Sequence, residues 1–444
     1  MADGIRLSVT LYLPDPVGGP QPCILEALPY RKDDMTSTSY SSEYERLRDE
    51  YGYAVARLDL RGTGSSGGRA TDEYPAQEQA DLHEVIAWLA AQDWCSNAVG
   101  MYGTSYSGFN SLQMACERPA ALKAICAIYA TDDRYTDDVH YLGGVLKWLD
   151  LIDYCHYMTP MNALPPVPAV WGDGWREEWL ARIEEHEPWL FTWLENATDG
   201  AYWRHGSVRP DYDRIQCPTM IVAGWADGYR NNSFRTMAAL ARNDVPRRLL
   251  AGPWAHASPS GSAPGPRIDL VPEMVRWWDR WLRGVEDGVD SEPEALWYVR
   301  ASHRPAPDLD TVPGYWRAEE WPSPRSGTRT LELLGRRPYP VRPDVGTAAW
   351  ISCAGHLPYG QPLDQRHDDA DSLTWEFDTD ETEIAGNPLL HLRIAADRPS
   401  AQVAVKLCDV FIDGTSTLIT RGLLDLDARD SLAVRSPLLP GEAY

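Results

Sequence analysis

Apolar runs of strand length alternate with segments of helical periodicity along the first 133 residues. The runs predicted as strands are Ile5–Leu13, Pro22–Leu28, Val55–Leu60, Val99–Tyr102 and Leu122–Ala130. Between them, Gln77–Ala91 carries apolar residues at helical spacing and Tyr106–Cys116 forms a second helical pattern. Strands that alternate with helices are typical of a mostly parallel sheet covered by helices on both faces. We therefore predict an α/β fold.

The alternation is interrupted between residues 134 and 212, where the sequence is helical, aromatic and broken by prolines. We interpret this stretch as a helical cap inserted into the core. Strand and helix patterns resume after it, in the segments Pro218–Trp225, Asn232–Arg242, Arg247–Ala251 and Pro272–Gly284. The α/β core is therefore predicted to comprise residues 1–133 and 213–290, on either side of the cap.

The pattern changes beyond about residue 290, where short alternating runs are separated by Gly, Pro and Asp. The runs predicted as strands are Leu296–Arg300, Thr328–Leu334, Ala348–Cys353, Leu373–Phe377, Leu389–Ala395, Gln402–Val410 and Thr417–Leu424. A series of short strands of this kind is typical of a β-sandwich. We therefore predict that residues 291–444 form a separate β-sandwich domain.

Composition narrows the range of partners. The formal net charge of −24 disfavours nucleic acids and anionic membranes, because both are polyanions that an acidic protein repels. The N-terminus lacks a basic region followed by an apolar stretch, and no apolar run is long enough to span a bilayer. The eight cysteines form no CxxC pair, so they indicate neither a zinc site nor a disulfide framework. We expect a cytoplasmic protein without a metal; its oligomeric state stays open, a homo-oligomer included.

The most informative motif is "VGMYGTSYSG", in which a buried strand leads directly into a helical pattern. A serine at a sharp strand-to-helix turn adopts strained backbone angles, and the residues two before and two after it approach so closely that only small ones fit. Gly103 and Ser107 occupy those positions around Ser105. The turn would push the Ser105 hydroxyl out of the sheet, as a nucleophile requires, although an ordinary glycine loop has the same composition.

Candidate partners for this serine follow two later strands. A serine nucleophile needs a base and a carboxylate that orients the base, and in α/β-hydrolase sheets these come in the order Ser, Asp, His at the ends of strands. Asp227 directly follows the predicted strand "TMIVAGW", and His256 follows "RRLLAGPW". No other histidine follows a predicted core strand. The sequence therefore predicts a catalytic triad of Ser105, Asp227 and His256.

Acyl transfer also needs two hydrogen-bond donors for the oxyanion. The backbone N–H of Tyr106, directly after the nucleophile, supplies one of them in this type of turn. The second should come from the loop after the strand "CILEAL", where Tyr30 offers a phenol that can donate a hydrogen bond. A purely structural tyrosine is the alternative for Tyr30.

A second glycine motif suggests different chemistry. "DLRGTGSSGG" places Gly62, Gly64 and Gly67 after a strand in the G-x-G-x-x-G pattern of dinucleotide-binding proteins, with Asp81 further on. In that motif the helix opens on the last glycine, but here a segment containing Pro75 intervenes and Asp81 lies inside a predicted helix. We interpret these glycines as a tight loop and expect no cofactor; a nucleotide-dependent oxidoreductase is the hypothesis that they would otherwise support.

These segments together resemble a known family, the α/β-hydrolases that include cocaine esterase, α-amino acid ester hydrolases, glutaryl acylases and X-prolyl dipeptidyl aminopeptidases. The resemblance runs nearly the whole length of the chain, through "DGIRLSVTLYLP", "PYRKDD", "LDLRGTGSSGG", "GMYGTSYSG", "GWADGY", "GPWAHA" and "RWWDRWLRG". It implies Ser105 as nucleophile, Asp227 and His256 as its partners, and Tyr30 with Tyr106 as the oxyanion hole. It also implies a helical cap, a jelly-roll C-terminal domain and the absence of a cofactor.

Two features depart from that family. In α-amino acid ester hydrolases, acidic residues just after the catalytic aspartate help to bind the substrate ammonium, whereas Gly228, Tyr229 and Arg230 follow Asp227 here. Asp138, at the entry to the cap, is the remaining carboxylate candidate for substrate binding, and Trp225 is assigned to the same pocket. Members of the family usually continue with more strands beyond "LLPGEAY", so we expect the C-terminal domain to be shortened.

The sequence therefore predicts a serine hydrolase that cleaves small-molecule carboxylic esters or amides through an acyl-enzyme. Esters are favoured, because amide leaving groups are harder to expel and acidic residues do not follow Asp227. Two alternatives stay open at this point: an X-prolyl dipeptidyl peptidase, and a non-catalytic relative that binds a ligand.

Overall fold

The structure is a computed structural model that describes residues 1–15, 18–34, 37–348, 360–380 and 382–444. The strands are β1 (Val9–Tyr12), β2 (Gln21–Leu28), β3 (Ala54–Asp59), β4 (Cys95–Thr104), β5 (Leu122–Ile128), β6 (Tyr141–Leu142), β7 (Val145–Leu146), β8 (Thr219–Gly224), β9 (Arg247–Gly252), β10 (Ala295–Arg300), β11 (Gly314–Glu319), β12 (Gln402–Val410) and β13 (Ser416–Asp425). The α-helices are α1 (Ser37–Asp49), α2 (Ala76–Ala90), α3 (Tyr106–Glu117), α4 (Trp148–Ala163), α5 (Pro168–Trp171), α6 (Trp175–Glu185), α7 (Leu190–Glu195), α8 (Ala201–Arg204), α9 (Arg230–Arg242), α10 (Val271–Trp278) and α11 (Arg366–Ala370). Within the described ranges, no helix combines the length and apolar character that crossing a bilayer requires.

A nine-stranded sheet in the order β1-β3-β2-β4-β5-β8-β9-β10-β11 forms the centre of the molecule. The outer strands β1 and β11 run antiparallel to their neighbours, and the seven strands between them are parallel. Strands β3 and β8 are buried along their whole length; β8 carries no charged residue, whereas β3 buries Arg57 and Asp59 among its apolar residues. The mostly parallel sheet predicted from the sequence is confirmed.

Helices cover both faces of this sheet. On one face, α2, α3 and α9 pack over a core that includes Leu25, Ile86 and Leu240. On the other face, α1 and α10 pack over Ile24 with Tyr44 and Trp278. Leu25 and Ile24 are neighbours on β2 that point to opposite faces, as the pleat of a strand requires. The sequence analysis did not predict α1, because this helix is polar apart from its two buried positions, Tyr44 and Leu47.

Residues between β5 and β8 form helices α4 to α8 and the short β6–β7 hairpin. Their aromatic side chains build a core of their own, in which Trp189, Trp193 and Trp203 pack against Tyr135 and Tyr141. Three of the seven tryptophans between Trp148 and Trp203 therefore pack in this core. This helical segment occupies the place of the predicted cap, and Tyr30 of the central unit contacts its core. The residue boundaries assigned to the cap and the other domains stay predictions.

The C-terminal region differs from its predicted strand series. Gln402–Val410 and Ser416–Asp425 form the antiparallel β12–β13 hairpin, close to two predicted strands. Leu296–Arg300, predicted for the β-sandwich, lies in β10 and pairs in parallel with β9, so it continues the hydrolase sheet. The short buried apolar pattern of this strand fits either sheet, which is why the sequence could not assign it.

Three of the remaining predicted strands in this region do not form as strands. Within the described residues, Thr328–Leu334, Leu373–Phe377 and Leu389–Ala395 lack ladder pairing, apart from one isolated bridge between Ala395 and Ala443. The predicted strand Ala348–Cys353 lies outside the described residues except for its first position. Many apolar side chains here are exposed, as with Leu389 and Val341, so the alternation in the sequence does not correspond to a buried face.

Candidate active site

Ser105 lies in the sharp turn that joins β4 to α3. Its backbone angles are φ 64° and ψ −119°, a conformation that non-glycine residues rarely adopt. Its N–H donates to the Ile128 carbonyl at 2.8 Å, which fixes the turn to the neighbouring strand β5. A Cβ atom added to Gly103, at φ 154°, would lie 2.0 Å from the Ser107 hydroxyl oxygen, so only glycine fits there. The geometry is that of the strained turn expected from the sequence.

Asp227 and His256 are brought together by the structure. Asp227 follows β8 and is fully buried, and its Oδ2 lies 2.5 Å from Nδ1 of His256. Its Oδ1 accepts the N–H of Tyr229 at 2.7 Å, which fixes the carboxylate in the turn. With the Nδ1 proton donated to Asp227, Nε2 of His256 is the nitrogen that carries a lone pair and can accept a proton. The pair therefore has the geometry of a general base and the group that orients it.

All three predicted triad residues follow the carboxyl ends of parallel strands in one half of the sheet. Ser105 follows β4, Asp227 follows β8 and His256 follows β9, with β5 between the first two. A series of contacts links the serine to the histidine, because Ser105 bonds to Ile128 and the next residue, Tyr129, has its ring 5.7 Å from the His256 ring. The carboxyl edge of an α/β sheet is where such folds bind their ligands.

The two predicted oxyanion-hole residues are adjacent. Tyr30 lies in the loop after β2, with its ring centroid 6.1 Å from that of Tyr106 and its hydroxyl 3.4 Å from the hydroxyl of Tyr154 in α4. The Tyr106 ring is buried, and its hydroxyl donates to Glu78 at 2.9 Å and accepts the N–H of Tyr74 at 3.0 Å. The Tyr106 side chain is therefore anchored in the core, and its backbone N–H opens helix α3.

Asp59 ties two loops of the site together. This fully buried carboxylate ends β3 and accepts the N–H of Lys32 at 2.7 Å and of Ser65 at 2.8 Å. Burial raises its pKa to about 6. The first bond fixes the loop that carries Tyr30, and the second fixes the glycine-rich loop. Asp59 is thus a positioning residue that sequence reasoning missed; the acidic residue that ends an otherwise apolar strand was the available signal.

The glycine-rich loop has the structural role expected for it. A Cβ atom on Gly64, at φ 49°, would lie 2.2 Å from the Asp59 carboxylate, so this glycine allows the loop to wrap around that group. Asp81, the counterpart of a ribose ligand in a dinucleotide site, forms two 2.7 Å hydrogen bonds with the Arg61 guanidinium. Gly64 and Arg61 of this loop therefore contact carboxylates of the chain itself.

Two further carboxyls lie buried behind the Ser105 turn. Glu26, on β2, accepts the Ser107 hydroxyl at 3.2 Å and the Tyr44 hydroxyl, with the Arg57 guanidinium 3.6 Å away. Glu78, on α2, accepts the Tyr106 hydroxyl, and burial raises its pKa to about 8. Burial also raises the pKa of Glu26. Sequence reasoning missed both, although a lone acid inside the apolar strand "PCILEAL" is unusual enough to notice.

Asp138 is buried, which contradicts a solvated position for it. Its side chain accepts the Val139 N–H at 2.7 Å and a hydrogen bond from Tyr229, and its Oδ2 lies 3.8 Å from Nδ1 of His140. Burial raises its pKa to about 7. The Tyr229 ring packs 5.5 Å from the His256 ring, so Asp138 is two contacts away from the candidate base. Its assignment to substrate binding stays a prediction.

Trp225 ends up mainly in packing contacts. Its ring stacks on Phe234 with 4.9 Å between centroids, and its indole N–H donates to the Tyr298 carbonyl at 2.7 Å. One part of the ring lines a cavity shared with Arg230 and Arg300. Its predicted role in substrate binding is untested by these contacts and stays a prediction.

Comparison with known proteins adds independent information. Residues 3–258 match the family described as X-Pro dipeptidyl-peptidase (S15 family), and residues 287–444 match the X-Pro dipeptidyl-peptidase C-terminal non-catalytic domain. Cocaine esterase of Rhodococcus sp. (strain MB1 Bresler) is 27% identical over 496 residues, which cover 100% of this chain and 85% of that protein.

Two solved structures share the fold over the whole chain. An α-amino acid ester hydrolase superposes with a TM-score of 0.73 at 20% identity, covering 100% of this chain and 83% of that one. An aminopeptidase from the marine sediment archaeon Thaumarchaeota archaeon superposes with a TM-score of 0.71 at 18% identity, with the same two coverages of 100% and 83%. The predicted α/β-hydrolase fold is therefore confirmed.

Proposed function

This chain belongs to the X-Pro dipeptidyl-peptidase S15 family, and from that membership and the geometry of its site we propose that it is a serine hydrolase of carboxylic esters or amides. The observation that carries the proposal is the 2.5 Å contact between Asp227 and His256, at the sheet edge where Ser105 occupies a strained turn. A strained serine and an oriented histidine at the carboxyl edge of one sheet are what nucleophilic acyl transfer requires.

In the proposed mechanism, Nε2 of His256 takes the proton of Ser105 as the hydroxyl oxygen attacks the acyl carbonyl. Asp227 keeps the Nδ1 proton in place and stabilises the imidazolium that forms. His256 then donates its proton to the leaving alcohol or amine, and the acyl group stays on Ser105. A water molecule activated by the same histidine releases the acid and restores the free serine.

Tyr30 and Tyr106 are proposed to hold the oxyanion that develops on the carbonyl oxygen. The backbone N–H of Tyr106 is one donor, supported by its place at the first turn of α3. The Tyr30 hydroxyl is the second, supported by its position beside Tyr106 and by the Asp59 bond that holds its loop. Both donors are fixed before the reaction, so they need no reorganisation in the transition state.

Ester substrates are proposed over peptides, because Gly228, Tyr229 and Arg230 follow Asp227 where acidic residues would help to bind an ammonium group. The second candidate is an X-Pro dipeptidyl peptidase, which the match of residues 3–258 to the X-Pro dipeptidyl-peptidase (S15 family) favours. Comparing kcat/KM for acyl esters, amides and X-Pro p-nitroanilides decides between them; a preference for X-Pro substrates would overturn the ester proposal.

A fluorophosphonate probe tests the nucleophile directly. The folded protein should be labelled once and lose its hydrolysis of p-nitrophenyl acetate, whereas Ser105→Ala should take up no label. The matched control is Ser107→Ala, two residues away on α3, which should still react. Labelling of Ser105→Ala, or ester turnover retained by it, would contradict the proposal. Absence of p-nitrophenyl ester turnover by the folded unchanged protein, together with tight retention of a ligand, would favour a non-catalytic relative that binds a ligand.

Other expectations remain part of this proposal. The acidic composition supports a cytoplasmic protein that does not bind nucleic acids, and a homo-oligomer is compatible with it. The match to the C-terminal non-catalytic domain supports a jelly-roll arrangement for residues 291–444, although β10 already lies in the hydrolase sheet.

A further inference from the structure

A cavity beside Asp227 is lined by two arginines. It lies between the turn after β8, the end of β10 and the β12–β13 hairpin, and it contains about 440 Å³ of atom-free space that is partly open to solvent. Arg230 is the first residue of α9 and Arg300 the last of β10. The rest of the wall is mainly apolar or aromatic and includes Trp225, Pro305, Leu309, Pro362 and Leu418.

In the part of the chain that the structure describes, neither of these two arginines forms an ion pair with a carboxylate. Within the described ranges, the Arg300 side chain has neither a hydrogen bond nor an ion pair. Arg230 donates to the backbone carbonyl of Asp227 at 3.3 Å, and in the same part of the chain it forms no ion pair. By contrast, Arg235, one turn further along α9, pairs with two carboxylates, Asp132 and Asp137.

The carboxylates near Arg230 already have cationic partners. Asp227 contacts His256 at 2.5 Å, and Asp137 pairs with Arg235 at 2.7 Å. In a protein of net charge −24, two arginines without a counter-charge on one cavity wall are a distinctive arrangement.

Burial and mutual repulsion keep the cavity positive. Desolvation, and then the charge of Arg230, lower the pKa of Arg300 to about 10. Desolvation, and then the charge of Arg421 on β13, lower the pKa of Arg230. Arg300 therefore stays protonated at neutral pH, and a bound anion would relieve the repulsion between the two guanidinium groups.

We propose that Arg230 and Arg300 bind a carboxylate, with the organic body of the ligand against the apolar wall of this cavity. Guanidinium groups bind carboxylates through paired hydrogen bonds, so arginine is well suited to this task. The apolar wall favours an organic acid over an inorganic anion. The carboxylate belongs either to the substrate, in which case the site rests on the proposed function, or to a free organic acid.

Binding is measured with benzoate and its uncharged counterpart benzamide by calorimetry at low ionic strength, on the Ser105→Ala protein so that catalysis plays no part. Benzoate should bind and benzamide should not. Arg300→Gln should weaken benzoate binding about tenfold or more, because a charge-assisted pair is lost. The matched control is Arg304→Gln, an exposed arginine that pairs with Asp413 at 2.8 Å, and it should bind benzoate unchanged.

Arg300→Lys keeps the positive charge, so it shows whether weaker binding by Arg300→Gln comes from the lost charge or from a folding defect. It should bind benzoate more weakly than arginine does, because a lysine has no planar pair of donors, but better than Arg300→Gln. The site would be overturned if benzamide bound as well as benzoate, or if Arg300→Gln bound benzoate with unchanged affinity.

Turnover separates the two sources of the carboxylate. The p-nitrophenyl monoester of adipic acid is compared with the same ester carrying a terminal carboxamide. If the carboxylate belongs to the substrate, the preference for the acid should fall about tenfold in Arg300→Gln and benzoate should compete with ester. If it is a free acid, both esters should react equally and benzoate should not compete. Benzoate binding without any ester turnover would refute the proposed function and leave the carboxylate site standing.

Discussion

Ser105 and His256 lie at the same edge of the sheet, but the chain fixes them by different means. The serine is positioned by backbone geometry: its own left-handed conformation, the closeness of Gly103 to Ser107, and the bond from its N–H to Ile128. The histidine is positioned by a side-chain hydrogen bond to Asp227, with the rings of Tyr129 and Tyr229 against it.

Because they are fixed by different means, the serine turn and the histidine are sensitive to different kinds of substitution. A turn defined by steric contact fails when an atom is added, because a packed neighbour must move. A base held by one carboxylate fails when the hydrogen bond changes its donor and acceptor roles, even with no change in shape. A substitution that adds an atom should therefore affect the serine turn, and one that changes only hydrogen-bond roles should affect the Asp227–His256 pair.

Asp227→Asn should give the largest effect among these variants. The amide can donate a proton to Nδ1 of His256, which would hold the imidazole in the wrong tautomer while leaving its position almost unchanged. We expect kcat for p-nitrophenyl acetate to fall by about 10³-fold to 10⁴-fold. The melting temperature should stay close to that of the unchanged protein; a large loss of stability would show that Asp227 acts mainly in folding.

Gly103→Ala tests the steric half. The new Cβ would overlap the Ser107 hydroxyl at 2.0 Å, so the turn must shift or the strand must move. We expect the free energy of unfolding to fall by about 2 kcal/mol or more, with a reduced rate of fluorophosphonate labelling. Thermal denaturation and labelling kinetics measure the two effects. Gly261→Ala, where a Cβ meets open space, is the matched control and should change neither.

Tyr30→Phe removes one proposed oxyanion donor and keeps the ring. We expect kcat/KM for esters to fall by about 10-fold to 100-fold, because one of two preorganised donors is lost in the transition state. The effect should appear mainly in kcat, since the donor acts on the developing oxyanion. Tyr157→Phe is the control, because its ring packs 5.8 Å from Tyr30 and it has no proposed catalytic role. Equal losses in both variants would remove Tyr30 from the oxyanion hole.

Glu78→Gln should have the smallest effect, and one that depends on pH. The folded protein holds the Glu78 proton up to a pKa of about 8, whereas the unfolded chain releases it near 4.5. The stability of the unchanged protein should therefore fall relative to Glu78→Gln as the pH rises through this window. Melting temperatures measured between about pH 5 and pH 8 test the sign, with the exposed Glu45→Gln as control. A difference in melting temperature that stays constant with pH would contradict this account.

The sequence was sufficient for the parts of the molecule that local pattern determines. The buried strand β8 reads as a run without charged residues, and Asp227 shortly after it marked the edge where the candidate site lies. The sequence could not reveal hydrogen-bond partners that meet only after folding. The partners in each pair come from distant segments of the chain: Glu26 with Ser107, Glu78 with Tyr106, and Asp59 with Lys32. Pairing of this kind depends on topology rather than on spacing along the chain.

The C-terminal strands could not be assigned for a related reason. Alternation predicts a strand with one buried face but does not say which sheet it joins, so β10 was expected in a sandwich and instead pairs with β9. Helix α1 was also not predicted, because its few apolar residues among polar ones show no clear helical periodicity.

Strand β10 also has a consequence for anyone who wishes to shorten this protein. The first family match ends at residue 258 and the second begins at 287, which suggests a cut between them. Such a fragment would lack both β10 and β11 and would leave the outer hydrogen-bonding groups of β9 open to other molecules. A minimal catalytic fragment should therefore extend through residue 319, or it will be prone to self-association.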